Sequence, residues 1–102
     1  MTIYEVLAQL EEANAPVIKT LHTHAAGETL ALGFKSGMTL KGHRATVPAR
    51  LLVIDGSVNY RQEGVSLTLA KYADLDIPVD VPHSVQALED SLCLLLVAKS
   101  GF

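Results

Sequence analysis

Ile77-Pro78-Val79-Asp80-Val81-Pro82-His83-Ser84-Val85-Gln86-Ala87 sets two prolines around a short acidic turn. Proline fixes φ and withholds a ladder donor, so this segment closes one strand and opens another. In the second strand His83, Val85 and Ala87 alternate with Ser84 and Gln86. Strand period therefore puts the histidine and two small apolar side chains on one face, which looks into a core or cavity.

Working outward, the same period recurs across most of the chain. After Pro16 come Val17, Ile18 and Leu21, then a polar patch with His22 and His24, and Gly27 turns the chain into a strand over 29–34 whose Leu30, Leu32 and Phe34 share a face. Further strand-like stretches follow over 38–44, 49–54, 57–62, 65–71, 74–77, 83–88 and 91–99. Asp55-Gly56 reads as a strong short-hairpin signal and Glu63-Gly64 as a weaker one. About nine short strands separated by frequent turn signals describe an all-β sandwich or barrel. No helical pattern interrupts them, which disfavours parallel βαβ folds.

The chain opens differently. Thr2 and Glu5 have capping-box spacing, and Ile3, Val6, Leu7 and Leu10 form an apolar stripe at helical period over 3–13, ended by Asn14 and Pro16. A helix this short must bury its stripe against its own sheet or against a partner subunit. In the last strand Leu92, Leu94 and Leu96 lie on one face and Cys93, Leu95 and Val97 on the other, so both faces need cover. A homodimer is the first expectation, with the helix as the other candidate cover.

Composition bounds the function. With 102 residues, 49% of them hydrophobic, the chain forms one domain, expected as a helix over 1–14 and a β-barrel over 15–102. The net charge of -3 and the absence of any basic run argue against nucleic acid or an anionic membrane as partner. No apolar run approaches a membrane span, and the first residues have no basic region of a secretion signal, so a cytoplasmic protein is expected. The single cysteine, Cys93, sits inside an apolar run and reads as a core residue, not a nucleophile.

The turns and histidines together resemble a known family. Gly37, His43 and Gly56 fall at the spacing of the first motif of the cupin superfamily, G-x5-H-x-H-x3-E-x6-G. The stretch 72–87 resembles the second, G-x5-P-x-G-x2-H-x3-N, which Pro78 and His83 match. The resemblance covers 28–98 and implies a small antiparallel β-barrel, the cupin double-stranded β-helix, with the motif residues clustered inside. In members with the full set it also implies a divalent metal held by three histidines and a carboxylate. This chain departs from that set: Ala45 and Ala49 stand at the second histidine and the acidic position, Tyr72 and Asp80 at the two glycines, and Ala87 at the asparagine.

Only His43 and His83 survive from the metal set, half of what a tightly held transition metal needs. No cofactor is expected, and a divalent metal at His43 and His83, completed by water, substrate, His22 or His24, is the minority alternative. An imidazole pair titrating near neutral pH can instead bind an anion or pass a proton. Tyr60 shares a strand face with Val58 and joins His43 and His83 as a third polar handle in a cavity walled by Leu51, Val53 and Val85, with Ala45 and Ala49 leaving room. Leu40 and His43 have opposite parity, so a bulge at Gly42 is needed if both face inward. His22 and His24 read as surface histidines; Asp74, Asp76 and Asp80 as a solvated acidic face; Lys41 and Arg44 as rim cations.

Three functions stay open: a protein binding a small organic ligand, a metal-dependent dioxygenase or isomerase with an incomplete ligand set, and a ligand-free structural or regulatory dimer. The first is favoured. No nucleophile with a base and an orienting group is legible, so enzymatic activity is left undecided.

Overall fold

The computed structural model describes residues 1–42 and 45–98. One helix, α1 (Thr2–Leu10), precedes nine strands among the described residues: β1 (Val17–His24), β2 (Gly27–Phe34), β3 (Thr39–Lys41), β4 (Ala49–Asp55), β5 (Ser57–Gln62), β6 (Val65–Ala70), β7 (Asp74–Ile77), β8 (His83–Ala87) and β9 (Ser91–Ala98). They form a five-stranded antiparallel sheet, β1-β2-β9-β4-β7, and a four-stranded one, β3-β8-β5-β6. The all-β expectation holds.

The core lies between the sheets. Leu32, Phe34, Leu51, Val53, Ile77 and Cys93 from the larger sheet meet Val58, Tyr60, Leu69, Val85 and Ala87 from the smaller. These are the inward positions that strand period assigns, including the Val85–Ala87 face of the proline segment and the Val58–Tyr60 face of β5. Cys93 is wholly buried, and loss of hydration pushes its thiol up to about 12, so it packs as a hydrophobe. No helix among the described residues is long and apolar enough to cross a membrane.

The helix covers part of its own sheet. Val6 packs with Ala31 and Leu92, flanked by Ile3, Val17, Ile54 and Leu94, on the outer side of the five-stranded sheet. Gly33 permits this contact, since a Cβ there would lie 2.7 Å from Cγ1 of Val6. Leu92 and Leu94 are thereby sheltered, whereas Leu96 stays 43% exposed. Two details of the expected helix are corrected. Met1, not Thr2, is the cap, with no side-chain capping bond, and Glu5 instead faces Lys19 of β1 at 3.7 Å. The helix also stops at Leu10 and gives way to a turn over 11–12 before Asn14, because the apolar stripe it buries ends there.

The turn signals also need correction. Asp55-Gly56 makes no hairpin: β4 pairs with β7 and β9, β5 with β6 and β8, so this turn carries the chain from one sheet to the other. The weaker signal, Glu63-Gly64, makes the true two-residue hairpin, with Gln62 opposite Val65 and Gly64 at φ 74°. The proline segment likewise crosses between sheets, from β7 to β8.

Left-handed backbone marks two of these crossings at residues other than glycine: Tyr72 at φ 73° and Asp80 at φ 63°. They are the two positions where the second motif has glycine. Each is held by its own amide, Tyr72 donating to the Val53 carbonyl at 2.7 Å and Asp80 to the Ala45 carbonyl at 2.8 Å. Asp tolerates this region through local hydrogen bonding, but a bulky aromatic does so under strain. Lys71 Nζ lies 5.2 Å from the centre of the exposed Tyr72 ring and offsets part of it. Relief of strain of about 1–3 kcal/mol, set against the chain entropy of glycine and this lost contact, makes Tyr72→Gly more stable by about 0.5–1 kcal/mol. Urea unfolding measures this, and a less stable variant would contradict it.

Candidate functional site

Three neighbouring strands of the smaller sheet, β3, β8 and β5, build the site. In their register Tyr60 stands opposite Val85, Gln62 opposite His83, and Lys41 opposite Ser84. Tyr60 is only 1% exposed and has its ring stacked near that of His83, with centroids 5.9 Å apart and planes inclined by 20°. Burial pushes the phenol up, so it stays protonated and donates to Oε1 of Gln62 at 2.7 Å.

His83 is half-buried, and its orientation is set from two sides. Its Nδ1 lies 3.2 Å from the Val81 carbonyl oxygen. A carbonyl only accepts, so Nδ1 carries the hydrogen and the neutral ring keeps its lone pair on Nε2. The ring also lies against Gly42, where a Cβ would come within 2.7 Å of both Cδ2 and Nε2 and would also strike the His83 carbonyl. Glycine at 42 therefore serves close approach; a bulge there to turn His43 inward lies outside the described residues, as do His43 and Arg44 themselves.

Alongside His83 runs an open groove of about 460 Å³, lined by Lys41, Gly42, Arg61, Gln62, Glu63 and Ser84 among others. Lys41, Ser84 and Arg61 alternate with His83, Gln62 and Tyr60 along their strands, so the two cations of this groove stand on the opposite face of the sheet from the imidazole. Leu51, Val53 and Val85, expected as cavity walls, are core residues packed around Tyr60. Of the expected site residues the structure thus brings Tyr60 and His83 together, and it adds Gln62. Nothing in the linear pattern singled out Gln62, although its offset of two from Tyr60 on one strand face was available to find it.

The family's four-ligand metal centre does not fit the described residues. Ala49 is buried in the core and Ala45 packs against it, so neither position supplies a donor. Nor do any three His, Cys, Asp or Glu side chains gather among the described residues. The acidic stretch holds no spare charge cluster either. Arg50 on β4 donates from Nε and Nη2 to Oδ2 of Asp74 and from Nη1 to Asp76 at 2.6 Å, while Asp80 lies apart in the proline turn. The Asp74 bond, reinforced by Asp76, raises the Arg50 guanidinium further above its ordinary value.

No protein-family model matches the sequence, and no curated protein does. Solved structures do match. A cupin superfamily protein from Desulfitobacterium hafniense has a TM-score of 0.78 at 16% identity, over 93% of this chain and 89% of that one. An RmlC-like cupin from Desulfovibrio desulfuricans gives 0.74 at 23% identity, over 82% of each chain. The cupin domain of an XRE-family transcriptional regulator from Enterobacter cloacae gives 0.74 at 19% identity, over 86% of this chain and all 100% of that one. With two facing antiparallel sheets and left-handed backbone at both glycine positions of the second motif, this chain has the fold of a small cupin.

Proposed function

We propose that this chain binds a small organic ligand beside His83, with His43 as the second imidazole. The observation that carries the reading is the oriented His83 ring, held at Nδ1 by the Val81 carbonyl, stacked near Tyr60 and in contact with Gly42, which leaves the lone pair of the neutral ring on Nε2. A preset acceptor costs a ligand less ordering than a mobile side chain.

The test is a thermal-shift screen of small carboxylic acids and neutral polyols on the untagged chain. A ligand binding the folded state raises its melting temperature in proportion to the logarithm of its concentration. At 100 times Kd the gain is about 2.7 kcal/mol, and His83→Ala is expected to abolish most of it. A ligand whose shift survives His83→Ala and His43→Ala would move the site elsewhere.

We also infer a homodimer in a cytoplasmic setting. Tyr4 and Leu7 on the helix and Leu96 on the sheet leave exposed apolar surface on the helix-bearing side. Light scattering is expected to give twice 10.9 kDa, and a mass of one chain at micromolar concentration would overturn it.

A further inference from the structure

The edge strand β1 carries a feature that ligand binding at His83 does not use. Along its first part Val17 and Lys19 stand opposite Gly33 and Ala31, the outer positions beneath the helix. At strand period the next outward residues would be Leu21 and Thr23, leaving His22 and His24 facing inward. The register instead shifts between Thr20 and His22, so His22 stands opposite Thr29 and His24 opposite Gly27, again outer positions. This bulge at Leu21 re-aims both histidines onto the exposed outer face, as bulges do where a side chain's direction matters.

We propose that His22 and His24 form a two-imidazole clip for a borderline divalent ion such as Zn²⁺, Ni²⁺ or Cu²⁺, separate from His83. Their ring centroids are 5.5 Å apart with planes inclined by 27°. With metal–nitrogen bonds of about 2.0–2.1 Å, two rings on one ion have centres roughly 4.5–5.3 Å apart. Both side chains are exposed, so each can rotate to turn a ring nitrogen toward a shared ion. Arg50, which lines a cleft with His24, is occupied by Asp74 and Asp76.

The proton balance is simple. Ala26 N–H donates to Nδ1 of His24 at 3.2 Å, which places the ring hydrogen of neutral His24 on Nε2. An ion enters at Nε2 when that hydrogen has moved to Nδ1 and the Ala26 amide has turned to water; the bond is exposed, so the exchange is cheap. With no third His, Cys, Asp or Glu gathered there among the described residues, the remaining coordination positions are open to water or to donors from another molecule. The ion is therefore exchangeable.

The experiment is a titration of the full, untagged chain with Zn²⁺ alone, followed by histidine ring carbon–proton NMR. The His22 and His24 signals are expected to move together and to finish near one equivalent, and His22→Gln or His24→Gln should weaken binding at least tenfold while leaving the amide spectrum folded. His83→Ala should leave the titration unchanged. Zn²⁺ affinity equal in parent and His22→Gln, His24→Gln double variant, or its loss in His83→Ala, would overturn the proposal.

Discussion

Gly56→Ala is expected to destabilise the fold by about 3 kcal/mol or more, enough to leave a large fraction of the chain unfolded at 37 °C if overall stability is typical for its size. Gly56 has φ 84°, where an alanine bears roughly 1–2 kcal/mol of strain. Its added Cβ would also strike the Ser91 hydroxyl and the Asp90 carbonyl and come within 2.8 Å of Ser91 Cα. Backbone atoms cannot swing away as a side chain can. The hydroxyl struck is itself structural: buried Ser91 accepts from the Ser57 amide at 3.1 Å and donates to the Glu89 carbonyl at 2.7 Å. Displacing it adds about 1–3 kcal/mol for unsatisfied buried groups. Denaturant unfolding measures the effect, and a loss below 1 kcal/mol would show that the crossing relaxes freely.

Tyr60→Ala should cost about 3–5 kcal/mol, the usual range for emptying the place of a buried aromatic. Tyr60 heads the fully buried side chains by volume and packs between both sheets. Tyr60→Phe keeps the ring under His83 but leaves Gln62 Oε1 without its donor, and should cost about 1–2 kcal/mol. The pair separates packing from polar support. If ligand binding depends on the stacked ring alone, Tyr60→Phe retains the thermal shift; if it depends on the Tyr60–Gln62 bond, Tyr60→Phe loses it while remaining folded.

Much of the architecture was legible where a local rule and the tertiary environment agree. Pro78 and Pro82 permit few conformations, and the alternation of His83, Val85 and Ala87 has one solution on a buried face, so that segment reads correctly without coordinates. Asp55-Gly56 fails for the opposite reason. A left-handed glycine turn looks the same whether the chain folds back beside its own strand or steps across to the facing sheet, and only the competing partners β7 and β9 decide it. Thr2 and Glu5 illustrate a weaker conflict, in which spacing suits a cap but Glu5 turns to Lys19 across the chain. At the site, Tyr60 follows from parity with Val58, whereas Arg50 emerges as the partner of Asp74 and Asp76 only once β4 and β7 are paired.

The position of β9 has a consequence for how the molecule assembles. It is the last of the nine strands in sequence, yet it lies in the middle of the five-stranded sheet, bonded to β2 on one side and β4 on the other. During synthesis both neighbours emerge before the strand that joins them, and residues as far apart as Gly27 and Ala98 must find each other to complete the sheet. Such distant pairing carries a loop-closure cost before any contact rewards it. The two local hairpins, β1-β2 and β5-β6, can form early, but the larger sheet closes only after β9 has left the ribosome. Until then one edge of β4 has no partner, and its backbone donors and acceptors are open to chaperones or to strands of other nascent copies.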